Sequence, residues 1–317
     1  MSISRRAFSF PFTLVACALL VLSLRPPVAL AENYHVAMVT SQDTAPYTRV
    51  LTGFREYLGQ HSSETVYEEY TLHEEEEQAT RILQEIKMNG AHMLLTVGSM
   101  ATQAAIKRVG DLPIVACLIV NATVLQNATN ATGVVLDFPL EVQLHWIKNV
   151  LPQTRAIGVL FNPQENQGKV EEAFRVAQHL GLSLIAREVQ SPQALPDALK
   201  SLVREADVLW GIPDQTVVSS QTAKPLLLFS FRNRIPFVGL STSWVEAGAL
   251  YALDRDYQDL GAQCGELALQ VLQGKPAKSL PAISPRKVIY TLNMKTADHM
   301  KIDIPQPLVE NAQHVFQ

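Results

Sequence analysis

The sequence predicts an α/β protein made of two doubly wound parallel-sheet lobes, and three observations support this. Short runs of β-branched and apolar residues alternate with stretches that have helical periodicity. The runs are almost continuously apolar, as expected of strands with both faces covered in a parallel sheet. The alternation also starts afresh after residue 138. Two successive β-α-β series predict two sheets, each with helices on both faces.

The first series contains five predicted strands separated by helices. The helix over 46–60 has apolar residues at helical spacing. The helix over 74–90 carries acidic residues at its N-terminal end, where the helix dipole favours them, and Gly90 closes it. A third helix covers 100–110. The predicted strands lie at 35–40, 64–72, 91–98, 112–120 and 132–138.

The second series repeats the pattern from residue 139 onwards. Strands are predicted at 155–162, 182–190, 207–213, 235–242 and 286–293, and the stretch 248–274 contains a further strand followed by a long helix. Shorter helices are predicted at 139–152, 168–181, 196–206 and 223–234, and a short helix ends the chain. In such folds a ligand binds outside the carboxyl ends of the strands, here in the cleft between the two lobes.

The N-terminal 31 residues have the pattern of a secretory signal peptide. Arg5 and Arg6 precede an apolar run, and small residues at Ala29 and Ala31 fit a cleavage site after Ala31. An uncleaved anchor and a lipoprotein modified at Cys17 are less favoured alternatives. The paired arginines also leave twin-arginine export open. The sequence therefore predicts a periplasmic protein.

Charge and cysteine content exclude several functional classes. Removal of residues 1–31 removes three arginines and no acid, so the net charge changes from −4 to −7. An acidic exported protein is a poor nucleic-acid binder. Cys117 and Cys264 are too few for a disulfide framework and are predicted to be buried thiols, with a single bridge left open.

Signatures of catalysis are absent from the sequence. There is no G-x-S-x-G, H-E-x-x-H, P-loop or G-x-G-x-x-G motif, and the histidines are scattered. The acidic run at 73–78 is consecutive, so its side chains fan around a helix instead of converging on an ion. We therefore predict a protein that is not an enzyme and uses no cofactor and no metal.

Polar residues cluster where predicted strands end, and these are the candidate ligand-binding residues. Helix N-termini at such junctions offer free N–H groups to an anion. Asp214 could pair with an amine, and Ser99 and Ser241 could hold a carboxylate. Plain helix capping is the alternative for any one of them. The full set is Thr40, Ser41, Ser99, Met100, Asn121, Asn162, Gln164, Asp214, Gln215, Thr216, Ser241 and Ser243.

Several stretches resemble the tryptophan/tyrosine-type substrate-binding proteins of ABC transporters. They are "GVLFNPQEN" at 158–166, "ADVLWGIPDQTVVSS" at 206–220, the stretch 235–277 and "NATGVVLDFPLEVQLHWIKNVLP" at 130–152. The resemblance covers residues 35–300. It implies the type I periplasmic binding protein fold, with residues 32–137 and 249–277 in one lobe and 138–248 and 278–317 in the other, joined by a multi-strand hinge.

The resemblance also implies a function. Such a protein acts as a monomer that closes its hinge on a small-molecule ligand, with an amino acid as the first candidate, and delivers it to an ABC permease. A membrane sensor protein is the alternative partner. Carried over by position, Ser99, Asn121, Asn162, Asp214 and Ser241 line the cleft. The chain departs from the family at 99–101 and 120–122, where the first lobe lacks a carboxylate, so the ligand stays open.

Overall fold

The computed structural model describes residues 33–62, 64–73, 76–120 and 122–317. The predicted signal peptide, 1–31, and the candidate residue Asn121 lie outside these ranges. In the described part of the chain, no helix is long and apolar enough to cross a membrane.

The first lobe is built on a parallel sheet with the strand order β2-β1-β3-β4-β5. Its central strands are fully buried, which matches their continuous apolar sequence. The strands are β1 (Tyr34–Thr40), β2 (Thr65–Thr71), β3 (Met93–Val97), β4 (Ile114–Ile119) and β5 (Ala131–Val135).

Helices cover both faces of this sheet. One face packs against α1 (Ala45–His61) and α10 (Tyr257–Leu272), and the other against α2 (Glu76–Met88), α3 (Ser99–Arg108) and α4 (Thr123–Gln126). Glycines let α1 and α10 approach closely: a Cβ added to Gly53 would lie 1.9 Å from the carbonyl oxygen of Gln258, and one added to Gly261 would lie 2.0 Å from that of Val50. Helix α10 therefore belongs to the first lobe, although it follows strand β10 of the second sheet.

The second lobe is built on a larger sheet with the order β12-β11-β10-β9-β8-β6-β7. Its pairs are parallel except for β10 and β11, which are antiparallel. The strands are β6 (Ala156–Phe161), β7 (Ser183–Glu188), β8 (Val208–Trp210), β9 (Phe237–Gly239), β10 (Tyr251–Arg255), β11 (Val288–Asn293) and β12 (His314–Phe316).

The second sheet is also covered on both faces. Helices α5 (Leu140–Val150) and α6 (Pro163–His179) contribute to one core, which α11 (Met294–Met300) and α12 (Gln306–Glu310) extend. Helices α7 (Leu195–Ser201) and α8 (Ala223–Asn233) contribute to the other core, and α9 (Thr242–Glu246) packs Trp244 against it. The predicted doubly wound α/β class is confirmed.

Two element predictions were wrong at their ends. Helix α6 begins at Pro163 and not at 168, because the Asn162 side chain accepts a hydrogen bond from Gln164 N at 3.0 Å and proline suits the first helical turn. The chain ends in strand β12 and not in a helix, because residues 314–316 pair with β11.

Three segments connect the lobes, and they place the lobe boundary differently from the prediction. Strand β10 pairs with β9 and β11, so 251–255 lies in the second sheet although 249–277 was assigned to the first lobe. Conversely, Ile283 forms a bridge with Val134 of the first sheet, although 278–317 was assigned to the second lobe. The chain therefore crosses after Val135, near Asp256 and again before β11, as the sheet pairings require.

Candidate ligand-binding cleft

A cavity of about 270 Å³ lies where the carboxyl ends of the second sheet meet the first crossover and the first lobe. This volume is just below the usual range of about 300–1,000 Å³ for small-molecule sites, so it suits a small solute. Most lining residues come from the second lobe and the crossover, and Val120 comes from the first lobe. The lining residues are Val120, Leu136, Asp137, Phe138, Gln143, Lys169, Trp210, Gly211, Pro213, Val238, Gly239, Leu240, Tyr251, Leu253 and Arg255.

Three side chains form a continuous row across the sheet, and we call Trp210, Val238 and Tyr251 the cross-strand row. Trp210 is paired with Val238 between β8 and β9, and Val238 is paired with Tyr251 between β9 and β10. Paired residues project on the same face of a sheet. All three are buried, line the cavity and give it an apolar, aromatic wall.

The crossover from β5 to α5 adds charged groups to the cavity. Asp137 forms an ion pair with Lys169 of α6, with 2.9 Å between the carboxylate oxygen and Nζ. Gln143 donates from its side-chain amide to the Phe138 carbonyl at 2.8 Å. The ion pair thus ties the crossover to the second lobe and places both charge signs in the cavity wall.

Arg255 occupies the second crossover and contacts the first. Its guanidinium carbon lies 5.1 Å from the centre of the Phe138 ring, within cation–π range. Its Nε donates to the Leu136 carbonyl at 2.7 Å. This residue therefore links two of the three connecting segments and adds a second cation to the cavity.

Tyr251, which belongs to the cavity wall, has an unusual hydroxyl. The side chain is fully buried, and its oxygen has no hydrogen-bond partner among the residues that the structure describes. Burial raises the pKa of Tyr251 far above its ordinary value, so the group is a neutral hydroxyl at any physiological pH.

The first lobe reaches the cavity through an irregular strand end. Leu118 has a positive φ of 53°, which is strained for a non-glycine residue, and the β4–β5 register shifts between Ala116 and Ile119. Such an irregularity bends the strand and redirects the residues that follow. The exposed Val120, at 61% of its maximal accessibility, comes directly after it on the cavity rim.

A second depression of about 540 Å³ lies at the opposite end of the second sheet. It is lined by residues such as Thr154, Asp207 and Pro236, which precede strands β6, β8 and β9. Because ligands of doubly wound sheets bind at the carboxyl ends of the strands, the smaller interlobe cavity is the better candidate.

The predicted candidate Asp214 is fully engaged by the protein. Its Oδ2 accepts from Asn162 N at 2.7 Å and from Asn166 Nδ2 at 2.9 Å. Its Oδ1 accepts from Thr216 N at 2.9 Å and Val217 N at 2.8 Å. The side chain is 5% exposed and does not line the cavity. A direct role in holding a ligand amine does not fit this arrangement, since the acceptor positions are taken.

The other candidates on these two loops belong to the same network. Asn162 donates from its side-chain amide to Thr216 Oγ1 at 2.8 Å. Gln164 and Gln215 are exposed, and Gln215 N donates to Glu165 at 3.0 Å. The network joins the β6–α6 loop to the β8–α8 loop and fixes Pro213, which does line the cavity.

The first-lobe candidates fall into two groups. Thr40 is buried and its hydroxyl donates to Thr71 Oγ1 at 3.1 Å, and Ser41 Oγ accepts from Ala101 N at 3.0 Å. These two hydroxyls therefore serve the sheet and the N-terminus of α3. Ser99 and Met100, in contrast, are half-buried in the first turn of α3.

In the second lobe, Ser241 is half-buried directly before α9, and Ser243 is exposed in that helix. None of the candidates that the structure describes lines the cavity, although Asp214 and Ser241 each adjoin a lining residue. Ser99, Met100, Ser241 and Ser243 stay predictions.

The lining residues themselves were missed by the sequence analysis. Trp210, Val238 and Tyr251 lie inside apolar strand runs, where nothing in one sequence distinguishes a cavity wall from a packed core. Lys169 and Arg255 resemble ordinary surface cations. One signal for the cavity was present in the sequence: Asp137 is a charged residue at the junction between the fifth predicted strand and the second series.

The described ranges contain no group of three His, Cys, Asp or Glu residues arranged to hold a metal ion. Cys117 and Cys264 are both buried free thiols, as predicted. Burial and the neighbouring Cys117 thiol raise the pKa of Cys264. The candidate site is thus the apolar cavity with the charged groups Asp137, Lys169 and Arg255 in its wall.

Two α/β lobes, three connecting segments and a small cavity between them define a type I solute-binding protein. The family described as "ABC transporter substrate binding protein" matches residues 36–316, and the chain belongs to it. The resemblance stated from the sequence is thus confirmed. The members of this family are binding proteins.

Two relatives are similar over much of the chain. A tyrosine-binding protein of Clostridioides difficile is 25% identical over 222 residues, which is 66% of this chain. The chain spans 64% of that protein's length. An uncharacterized protein of Rickettsia prowazekii is 22% identical over 297 residues, covering 93% of this chain and 91% of the relative.

Solved structures share the fold. A ligand-free, open substrate binding protein with adhesive properties from Clostridium difficile superposes with a TM-score of 0.73 at 20% identity and covers 90% of this chain and 99% of its own. A Streptococcus pneumoniae ABC domain in complex with L-Trp gives a TM-score of 0.58 at 20% identity, covering 90% of this chain and 100% of its own.

Proposed function

We propose that this protein binds an amino acid with a large apolar side chain in the interlobe cavity and delivers it to an ABC permease. The observation that carries the proposal is the composition of the cavity wall: the apolar cross-strand row, with Asp137, Lys169 and Arg255 beside it.

The charged groups match the two ends of an amino-acid backbone. Lys169 and Arg255 can donate to a carboxylate, and Asp137 can accept from an amine. Because Asp137 and Lys169 already form an ion pair, a ligand carrying both charges can replace each partner without leaving a charge unpaired. A ligand with only one charge would leave one member of the pair uncompensated.

The cross-strand row matches the apolar part of the ligand. Aromatic pairs prefer offset or edge-to-face contacts, and Trp210 and Tyr251 stand on either side of Val238. The tyrosine-binding relative supports an aromatic amino acid within this class.

Ligand capture requires the first lobe to close on the cavity. The rim residue Val120 and the predicted contact Ser99 would approach the ligand as the three connecting segments bend, and the predicted contact Ser241 already lies in the second lobe beside the lining residue Leu240. Delivery to a permease fits the family, and a cleaved signal peptide would place the protein in the periplasm.

Isothermal titration of the purified protein with the twenty amino acids tests the proposal. We expect binding of at least one aromatic amino acid. Lys169→Gln should weaken that binding about tenfold or more, because a charged hydrogen bond contributes roughly 1.5–3 kcal/mol.

The matched control is Lys200→Gln, since Lys200 is 74% exposed on α7, away from the cavity. Its affinity should equal that of the wild type. If no amino acid binds, the proposal fails. If Lys169→Gln binds as tightly as the control, the cavity is not where the ligand carboxylate sits.

A further inference from the structure

We infer that Cys117 and Cys264 are a disulfide-forming pair, which joins strand β4 to helix α10 when the chain folds in the presence of a disulfide oxidant. The inference is independent of the proposed function and of any ligand. The two residues are the only cysteines in residues 32–317, and they lie far apart in the sequence. Both are buried and unbonded in the structure, which therefore shows the reduced form of the pair.

The first step is the direction of the two side chains. Side chains alternate between the faces of a strand, and Val115 and Cys117 lie on the face of β4 that α10 covers. On α10, Leu260, Cys264 and Leu267 follow one another at helical spacing and pack into the same core. Each cysteine therefore projects toward the element that carries the other.

The second step is the contact between the two residues. Cys264 Sγ lies 3.8 Å from the carbonyl oxygen of Ala116, the residue directly before Cys117. Burial, and after it a hydrogen bond with the Cys117 thiol, raises the pKa of the Cys264 thiol. A disulfide needs two cysteines whose backbones are already close and whose side chains point toward each other. The fold places the only two cysteines of this range in that arrangement.

The third step is the chemistry of bond formation, with a disulfide such as oxidised glutathione as the oxidant. The thiolate of one cysteine attacks a sulfur of the oxidant and displaces one of its two thiolates. The thiolate of the second cysteine then attacks the protein sulfur of this mixed disulfide and displaces the other. The two protons of the cysteines pass to the released thiolates. Two protein thiols thus become one disulfide, and the oxidant is reduced to two thiols.

Burial decides when the bond can form. Cys117 and Cys264 are both 0% exposed, and the raised pKa of Cys264 leaves little of the reactive thiolate. An oxidant therefore reaches the pair while the chain folds, before the core of the first lobe closes. The predicted signal peptide would deliver the chain to an oxidising compartment, where disulfides persist.

The bond would reinforce the first lobe where it meets the hinge and the cavity. Helix α10 begins directly after the second crossover, near Asp256. Strand β4 continues from Cys117 into the strained Leu118 and the rim residue Val120. A covalent link from Cys117 to Cys264 holds these two segments to each other.

Oxidative refolding tests the inference. The protein is reduced and unfolded in urea, and it is then refolded with a mixture of oxidised and reduced glutathione. Free thiols are alkylated before peptide mapping by mass spectrometry. We expect a linked pair of peptides that contain Cys117 and Cys264, with neither residue alkylated. The matched control is the folded, reduced protein in the same mixture, where both thiols should stay reduced over the same period. Equally fast oxidation of the folded protein overturns the coupling of the bond to folding.

Thermal unfolding measures the consequence of the bond. The oxidised form should melt roughly 5–15 °C above the reduced form, because the bond closes a long loop and restricts the unfolded chain. Cys264→Ala removes one thiol, so its melting temperature should be the same after refolding in oxidising and in reducing buffer. If this variant does not fold, the two forms of the wild type still decide. Alkylation of both cysteines after oxidative refolding overturns the inference, whether or not the protein binds an amino acid.

Discussion

Replacement of Asp214 by asparagine tests whether this residue holds the cleft together or contacts the ligand. Each carboxylate oxygen accepts two hydrogen bonds from the protein. Asparagine has the same shape but replaces one oxygen by a donor. Whichever way the amide is turned, its NH2 group faces two donors that previously had an acceptor.

The expected loss of stability follows from this count. A hydrogen bond to a charged group contributes about 1.5–3 kcal/mol, and two are lost at a side chain that is 5% exposed. Rotation of the loops and entering water recover part of this, so we expect a loss of about 3 kcal/mol. For a folding unit of about 150–250 residues, a loss of about 3 kcal/mol lowers the melting temperature by about 6–12 °C.

Thermal unfolding followed by circular dichroism measures the effect. The control is Asp197→Asn, whose carboxylate is 87% exposed and pairs with Lys200 at 3.1 Å on α7. Such a pair contributes little, so this variant should stay within about 0.5 kcal/mol of the wild type.

Titration of the same variants with ligand separates the two roles. A structural Asp214 predicts a large loss of stability with a modest loss of affinity, through displacement of Pro213. An unchanged melting temperature with abolished binding would refute this reasoning and restore Asp214 as a direct ligand contact.

Two further predictions concern backbone strain and charge. Gly98→Ala should destabilise the first lobe by at least about 2 kcal/mol in a urea titration, because Gly98 has φ +100° and a Cβ would lie 2.4 Å from Ser41 Oγ. The control is Gly59→Ala, which lies in open space on α1 and should stabilise the protein by about 0.5–1 kcal/mol. Equal effects of the two substitutions would contradict the argument. Partial burial opposes ionisation of Asp256, but Lys287 and two backbone N–H groups hold its pKa below the ordinary value. The stabilisation that comes from the lowered pKa of Asp256 is present above the unfolded pKa of about 3.9 and is lost as the pH falls through the lower folded value. Lys287→Ala should therefore raise the pKa of Asp256 in an NMR titration. An unchanged pKa would contradict the assignment.

Local sequence patterns were sufficient for most strands and helices. The runs around Val36, Leu94 and Val115 are apolar because both faces of their strands are covered, and they are fully buried in the structure. The predicted helix over 168–181 starts five residues late, because α6 begins at Pro163 after a cap at Asn162. Helix ends depend on single side chains, so a periodic pattern locates them poorly.

The site could not be predicted in the same way. The cross-strand row joins residues 210, 238 and 251, which become neighbours only through the pairing of three strands. Likewise, Asp214 meets Asn162 across 52 positions of sequence. The polar residues at strand ends stay predictions as ligand contacts, and a candidate such as Asp214 accepts its hydrogen bonds from the protein, partly from donors on another loop.

The sequence by itself determined the two-lobed α/β class and the family, because apolar periodicity and local motifs are written in consecutive residues. Only the tertiary structure decided which chain segments form each lobe, which residues wall the cavity and which polar groups stay free. The physical reason is that strand register and loop packing bring together residues far apart in the chain. The Tyr251 hydroxyl shows this most clearly, since it lacks a hydrogen-bond partner within the described ranges because of the residues packed around it.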